Sequence, residues 1–438
     1  MDSPDAPSPG AADWSAPDAE PDRARDAAED PGSEIPPHRP LEGTVVVDLS
    51  RHLPGPLVGR LLADLGARVI KVEEPKLGDP SRQAPPLVGE VSSLAALLLS
   101  GHDSLALDLK KPTAREVVEN LLMSADVLVE SFRPGVLQRL GLAQEELRRL
   151  FPSLVICSVT GWGQGGPHAL RAGHDLSYQA VAGSLAGGGG MPAVQVADLV
   201  GAWSATNAVS AALLRRERTG DGCWIDQALL DAAGHAALTG WAAEADGPKA
   251  VGEPLYLTGA LPCYDLYRTR DDGSLALAPL EPKFWRAFCD AVGRKDLILK
   301  QFSSDPAVRR EVADLVRGRT RDEWAALMAE HDIPAEPVLS AAESLSHPQV
   351  QHRGMIQAAD DGTLRLGYPA KLDGERPRGD DAFPGLGEHT ESVLNELGLA
   401  AGLSTFARRR GGIGRRFSVR RWATRVATAV ATRRKKDD

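Results

Sequence analysis

Between residues 41 and 160 the chain alternates short β-branched runs with segments whose leucines and valines recur at helical spacing. Residues 44–49, Thr-Val-Val-Val-Asp-Leu, are the continuous apolar run of a buried strand. Pro54-Gly55-Pro56 then opens a helix, with Pro56 suited to the first helical position. Leu57, Leu61, Leu62 and Leu65 give that helix its apolar face, and Gly66 ends it. Residues 68–73 supply the next strand, so the segment reads as a βαβ unit with a parallel strand pair. The pattern then repeats. Residues 104–109 read as a strand, Thr113 caps a helix carrying Val117, Val118, Leu121 and Leu122, and residues 126–130 and 154–159 read as two more strands.

This alternation predicts an α/β fold with a doubly wound sheet, whose ligands sit beyond the carboxyl ends of the strands. The loops that matter are then Ser50-Arg51-His52, residues 74–82, Ser131-Phe132-Arg133-Pro134-Gly135 and residues 160–164. A long helix is expected from Ala202 to Arg218, followed by a further apolar segment through Leu230. Residues 262–333 read as a smaller mixed region. It has hairpin strands on either side of Asp271-Asp272-Gly273, then helices carrying Phe284, Trp285 and Phe288, and Trp324 and Leu327. Residues 362–399 return to Gly- and Pro-rich loops with a last helix near 390–397.

The length of 438 residues accommodates two domains, and 42% apolar with 25% charged residues is ordinary for a soluble globular protein. No apolar run reaches membrane-spanning length, and the acidic, proline-rich start lacks the order of a secretory signal. Cys157, Cys223, Cys263 and Cys289 show neither metal-ligand nor disulfide spacing. They read as small buried hydrophobes in a cytoplasmic protein, with no metal site. The net charge of −10 hides an asymmetry: residues 1–40 carry ten acidic residues against three arginines, and residues 401–438 carry ten arginines and two lysines against two aspartates. The acidic body argues against a nucleic-acid partner. Residues 1–40 have too few large apolar side chains to order themselves and read as a disordered acidic arm. In the basic tail, Val419, Trp422, Val426 and Val430 fall at helical spacing among arginines. Two readings of it stand: a helix for an anionic membrane surface or acidic partner, and a disordered solubilising tail.

Candidate chemistry concentrates between Gly173 and Asp198, where His174, Asp175 and Asp198 lie, with Glu281 as a distant third acid. Imidazole and carboxylates are the materials for moving a proton on and off carbon. Taken singly, each is an ordinary turn or core residue.

Several motifs in order carry a family resemblance: Asp48-Leu49-Ser50, Gly55-Pro56, Leu62-Ala63-Asp64-Leu65-Gly66-Ala67, Val69-Ile70-Lys71-Val72-Glu73 and Gly78-Asp79. Leu107-Asp108-Leu109-Lys110, Ala125-Asp126-Val127-Leu128-Val129-Glu130 with Phe132-Arg133-Pro134-Gly135, Arg139-Leu140-Gly141, and Gly161 with Gly163-Gln164 and Gly166-Pro167 continue it. The stretch from about 41 to 398 resembles the class III CoA-transferases, a family that includes formyl-CoA and carnitine CoA-transferases and α-methylacyl-CoA racemases. The resemblance implies a Rossmann-like large domain from residues 41–230 and 345–400, a small α+β domain at 260–335, and an interlocked homodimer. It implies an acyl-CoA thioester as substrate and no separate cofactor. Asp198 matches the transferase nucleophile, which in racemases is an acid/base. His174, in Gly-His-Asp-x-x-Tyr, resembles the racemase histidine, and Glu281, in Leu-Glu-Pro-Lys-Phe, the glutamate that pairs with it. Contacts to CoA are implied at Lys110, Glu130, Phe132, Arg133, Arg139 and Asp175. The full set favours epimerisation of a 2-substituted acyl-CoA, with acyl-CoA:carboxylate CoA transfer as the alternative.

The pattern departs where family members carry cations for the CoA phosphates. Here Glu74 follows Val72-Glu73, and Gly101-His102-Asp103-Ser104 stands in place of a basic run. Arg82, Arg133, Arg139, Lys110 and Lys111 are the remaining cations. The exchange of cations for acids inverts the local field and opens a third reading, a non-catalytic acyl-thioester-binding homologue. The run of glycines at 187–190 reads as a connector between His174 and Asp198 rather than a phosphate cradle.

Overall fold

The computed structural model describes residues 35–399, except 37, 188–190, 248–250, 252–254 and 359–361. The acidic arm up to residue 34, most of the glycine run and the basic tail lie outside the described residues, and so do the readings made of them.

Six strands make the central sheet: β1 (Val45–Asp48), β2 (Arg68–Glu73), β3 (His102–Ala106), β4 (Val127–Glu130), β5 (Val155–Thr160) and β6 (Trp224–Ala228). Every neighbouring pair is parallel, and the spatial order is β3-β2-β1-β4-β5-β6. That is the strand order of a Rossmann-like dinucleotide fold, with its reversal between β1 and β4. Alternation along each strand feeds two cores. Val46, Val69, Val127, Val129, Val155 and Cys157 face one side. There they meet α1 (Pro54–Asp64), α3 (Asp175–Ala182), α4 (Val196–Thr219) and α5 (Leu229–Ala236). Val47, Ile70, Leu105, Leu128 and Ile156 face the other, against α2 (Pro112–Ser124), Gln144–Leu150 and Thr390–Glu396. The run of β-branched residues is the signature of strands buried on both faces.

Several boundaries differ from the sequence reading. Helix α1 starts at Pro54, two residues before Pro56, because Pro54 already supplies the preset φ of a first turn. Thr113 does not cap α2; Lys111 holds that position and Pro112 the first turn. Strand β3 lies at His102–Ala106 because Gly101, at φ +79°, turns the chain onto the sheet edge and buries the polar His102 and Ser104. The segment before Leu230 contains the sixth strand, seated close to β5: a Cβ on Gly222 would lie 2.1 Å from the Leu154 carbonyl oxygen. The C-terminal segment returns to the other edge, where the His389 N–H donates to the Ser104 carbonyl (2.9 Å) and the Ala106 N–H to the Thr390 hydroxyl (3.0 Å).

A second sheet, β7 (Asp265–Arg268), β8 (Ser274–Leu277) and β9 (Ala335–Pro337), is antiparallel in the order β9-β8-β7. Its third strand, only Ala335-Glu336-Pro337, was too short to announce itself in sequence. With α6 (Pro282–Ala291), Pro306–Val316 and Arg321–His331 it forms a separate core around Trp285, Phe288 and Trp324. The two indole N–H groups donate to the Leu297 (3.0 Å) and Val316 (2.8 Å) carbonyls, so neither ring is buried with an unmet donor.

Two buried charge clusters fix the carboxyl ends of β1 and β2. Lys71 is 1% exposed; its ammonium donates to the Ser50 carbonyl and pairs with Asp48 (3.1 Å) and Asp79 (3.6 Å). The other Asp48 oxygen accepts the Ser50 N–H (2.7 Å), which closes the turn that leads into α1. Glu73 is paired bidentately by Arg82 (2.7 and 2.8 Å) and also accepts the Ser104 hydroxyl (2.7 Å) and the Asp79 N–H (2.9 Å). Arg82 donates as well to the Pro384 carbonyl (3.0 Å), so it ties the loop after β2 to the C-terminal segment. These contacts hold the Glu73 carboxyl below its ordinary range against the opposing effect of burial.

Replacing Arg82 with Met leaves Glu73 buried without its counter-ion, and the unfolding free energy in urea is expected to fall by about 3–5 kcal/mol. Glu73→Gln in the same background is expected to recover part of that loss. A loss below about 1 kcal/mol would put the pair in the class of surface bridges.

Candidate active site

The reversal between β1 and β4 is where this fold class sets its ligand crevice, beside the two loops that leave those strands. The Leu49 N–H donates to the Val129 carbonyl (2.8 Å) and the Arg51 N–H to the Ser131 hydroxyl (2.9 Å). These bonds hold Arg51, an exposed residue, with its guanidinium 5.8 Å from the Phe132 ring centroid. His52 occupies the left-handed region at φ +68°, a conformation a non-glycine residue keeps only when its surroundings enforce it. Glu130, at the end of β4, is buried and accepts the Phe132 N–H (2.7 Å). Burial, with Asp226 adding to it, pushes its carboxyl up to about 7 against the hydrogen bonds that oppose the shift. Of the residues implied to contact CoA, Phe132 is half-buried beneath Arg51, Arg133 is exposed, and Glu130 holds their loop through the Phe132 N–H. Arg139 ends the short helix Val136–Arg139 and is exposed, as is Lys110 in the loop after β3.

Helix α3 brings the next group. Its first residue, Asp175, is buried; one carboxylate oxygen accepts the Gln179 side-chain amide (2.6 Å) and the other the Asp198 N–H (3.2 Å). That second bond extends α4 back to Val196, six residues before the expected start, and places Asp198 in its first turn. An acid there gains from the helix dipole. Burial outweighs that gain. Asp198 is half-buried, and desolvation with the neighbouring Asp175 charge pushes its carboxyl up to about 7. His174 precedes α3 with an exposed side chain, its N–H donating to the Ser177 hydroxyl (3.4 Å) and its carbonyl accepting the Ser177 N–H (2.7 Å). One hydrogen bond between two helix starts thus joins Asp175 to Asp198, with His174 at the N-terminal boundary of α3.

Glu281 stands apart. It begins α6 in the second sheet's core region, is exposed, and among the described residues has no hydrogen bond or ion pair to His174 or Asp198. Arg82, read as a CoA cation, is engaged by Glu73. The two acids that departed from the family pattern are also accounted for within the chain. Glu74 accepts the N–H groups of Lys76 (3.0 Å) and Leu77 (2.8 Å), and Asp103 pairs with Arg68 (2.7 Å). A neutralised Asp103 and a loop-capping Glu74 weaken the inverted field on which the non-catalytic reading rested. Among the described residues no group of three or more His, Cys, Asp or Glu gathers as a metal site, and no helix is long and apolar enough to cross a membrane. Cys157, Cys263 and Cys289 are buried free thiols, and Cys223 is a half-buried one.

Nothing local in the sequence assigns a role to Arg51 or Tyr178. Arg51 stood in a loop marked for attention, but only the β1–β4 reversal shows that it lies over Phe132. Tyr178 is buried on α3, with its ring edge-on to Trp162 at 4.9 Å.

With this geometry in place, comparisons with known proteins are informative. The family model described as CoA-transferase family III matches residues 41–390. The human alpha-methylacyl-CoA racemase is 32% identical over 82% of this chain and 94% of its own. The succinate–glutarate CoA-transferase of Agrobacterium fabrum is 35% identical over 82% of this chain and 96% of its own. Among solved structures, a CAIB/BAIF family protein from Brucella suis superimposes with a TM-score of 0.72 at 30% identity, over 82% of this chain and 99% of that one. A match of this extent, on a Rossmann-like sheet, makes the chain a member of CoA-transferase family III, whose racemases and transferases are enzymes.

Proposed function

We propose that the protein epimerises a 2-substituted acyl-CoA thioester, with Asp198 and His174 as the acid/base pair. The observation that carries this reading is the state of Asp198: half-buried beside Asp175, it is poised to hold or release a proton near neutrality. A thioester carbonyl acidifies its α-hydrogen enough for a positioned weak base. Asp198 takes that proton from one face, the electron pair moves onto the thioester oxygen, and the His174 imidazolium returns a proton to the other face. Two groups of different type, carrying opposite protonation, suffice without metal or redox chemistry. Glu281 orients His174 in this scheme. Among the described residues of one chain it makes no such contact, so a homodimer is the arrangement in which a second copy would supply it. Arg51, Arg133, Arg139 and Lys110 are the exposed cations available for the CoA phosphates.

The second reading is CoA transfer. Asp198 would attack the acyl carbonyl and expel CoA thiolate, leaving a mixed anhydride; the thiolate would attack the aspartyl carbonyl and release the first acid, leaving an aspartyl–CoA thioester. A second carboxylate would then expel the thiolate to form a new anhydride, and thiolate attack on its acyl carbonyl would give the new acyl-CoA and free Asp198. The 35% identity to a named transferase favours it. Against it, a carboxyl pushed up to about 7 is a nucleophile only in its ionised fraction, whereas an acid/base uses both forms.

Incubation of a branched acyl-CoA in deuterated water separates the two readings. Epimerisation puts deuterium at the α-carbon without an acceptor acid. Asp198→Asn and His174→Ala are each expected to lower that exchange by about 10²–10⁴-fold. Exchange that appears only with an acceptor, or hydroxylamine trapping at Asp198, would decide for transfer. In the direction where Asp198 takes the proton it must be ionised, so that rate is expected to rise as pH passes through about 7; the direction in which it donates falls over the same range.

The same raised carboxyl makes a stability prediction. Between its unfolded value near 3.8 and about 7, the folded chain keeps a proton that the unfolded chain has released. Wild-type stability therefore declines with rising pH across that window. Asp198→Asn escapes this decline. Its gain over wild type should be absent below pH 4, grow to on the order of 2 kcal/mol by pH 7 after solvent screening, and stay constant above, as read by urea unfolding.

A further inference from the structure

Tyr178 occupies a slot shaped around its ring. A Cβ on Gly161 would lie 2.2 Å from the tyrosine hydroxyl, and one on Gly173 would lie 2.7 Å from its ring edge. Trp162 closes a third side, edge-on at 4.9 Å, and its own indole N–H is buried without a partner beside Gly173. So confined, the phenol cannot swing away. Its surroundings are those of the site: Asp198, Asp175 and Arg133 are the charges that act on it.

A tyrosine serving only as core would either have its hydroxyl bonded or be replaceable by phenylalanine. Tyr267 shows the first case, donating to the Pro262 carbonyl at 2.8 Å. Among the described residues the Tyr178 hydroxyl has no hydrogen-bond partner, although the ring is only 6% exposed. Burial and the Asp198 charge push its ionisation up to about 12, so it is a donor throughout the working range. A confined, protonated donor with no partner among the described residues, on the helix whose first residue bonds the Asp198 N–H, is the kind of group that stabilises charge developing on a carbonyl oxygen.

We propose that Tyr178 is a further catalytic residue, whose hydroxyl donates to the thioester oxygen as Asp198 removes the α-proton. The inference rests on the epimerase reading. The α-carbon–hydrogen bond breaks, its proton goes to the Asp198 carboxylate, and the electron pair forms the enolate whose oxygen Tyr178 holds. When His174 returns a proton to carbon, the pair leaves that oxygen and the hydrogen bond weakens again. No oxidant or further reactant enters.

Tyr178→Phe keeps the ring in its slot and removes only the donor. In the α-deuterium exchange assay its kcat is expected to fall about 10²-fold, the loss typical of one oxyanion donor, with KM nearly unchanged. Its thermal midpoint should stay close to that of wild type, because the ring keeps its slot and the hydroxyl removed has no partner among the described residues. A kcat within about twofold of wild type would overturn the assignment while leaving the epimerase reading intact. So would a loss that tracks a lower melting midpoint or a raised KM alone, since that marks packing. Absence of exchange in the wild-type enzyme would remove the epimerase reading, and the enolate donor with it.

Discussion

The Lys71 ammonium is drawn from the middle of β2 into a space almost free of water, and three separate pieces of chain close on it. Asp48 comes from β1, Asp79 from the loop after β2, and the Ser50 carbonyl from the turn that begins α1. A buried ammonium is tolerated only with its charge met and its hydrogens accepted, so the three pieces have little freedom relative to one another. The turn at Ser50 carries Arg51 and His52, whose backbone in turn meets the loop after β4 through Ser131. The shape of the crevice at the sheet reversal thus descends from one charge-satisfaction problem below it. Glu73 and Arg82 extend the same logic to β3 and the C-terminal segment.

Above that foundation the electrostatics turn unfavourable. Asp198 and Asp175 meet at the starts of two helices, and Glu130 lies buried at the end of β4. Asp198 and Glu130 carry protons at pH values where exposed carboxylates have none. Folding meets this strain because the sheet and its two cores are extensive. The division is physically sensible: a fully satisfied polar layer beneath, and a layer of incompletely satisfied acids and donors where substrate would bring its own charge.

Much of the fold was legible because buried parallel strands are the simplest pattern a sequence can display. The runs around β1, β2, β4 and β5 and the helix faces of α1 and α2 were found within a few residues. The misplacements share a cause. Strand β3 contains His102 and Ser104, polar residues buried by neighbours distant in sequence, and β6 is recognisable only beside β5. Helix α4 starts at Val196 because Asp175, 23 residues before Asp198, accepts its N–H. Part of the candidate site is local as well: His174, Asp175 and Asp198 lie within one stretch, and the Asp198 N–H bonds Asp175. The partners of Arg82, Glu74 and Asp103, which are Glu73, loop N–H groups and Arg68, are invisible until the chain is folded.

By itself, then, the sequence determined the α/β class, the alternation of layers, the family and the residue types available for proton transfer. These depend on local periodicity and short motifs, which act over a few residues. Tertiary structure alone decided the strand order β3-β2-β1-β4-β5-β6, and with it which loops share a crevice. It also decided which charges are neutralised internally, that among the described residues Glu281 makes no hydrogen bond or ion pair to His174, and that Tyr178 is confined between Gly161, Gly173 and Trp162. Charge and hydrogen bonding depend on distance and burial, and both are set by contacts between segments far apart in the chain.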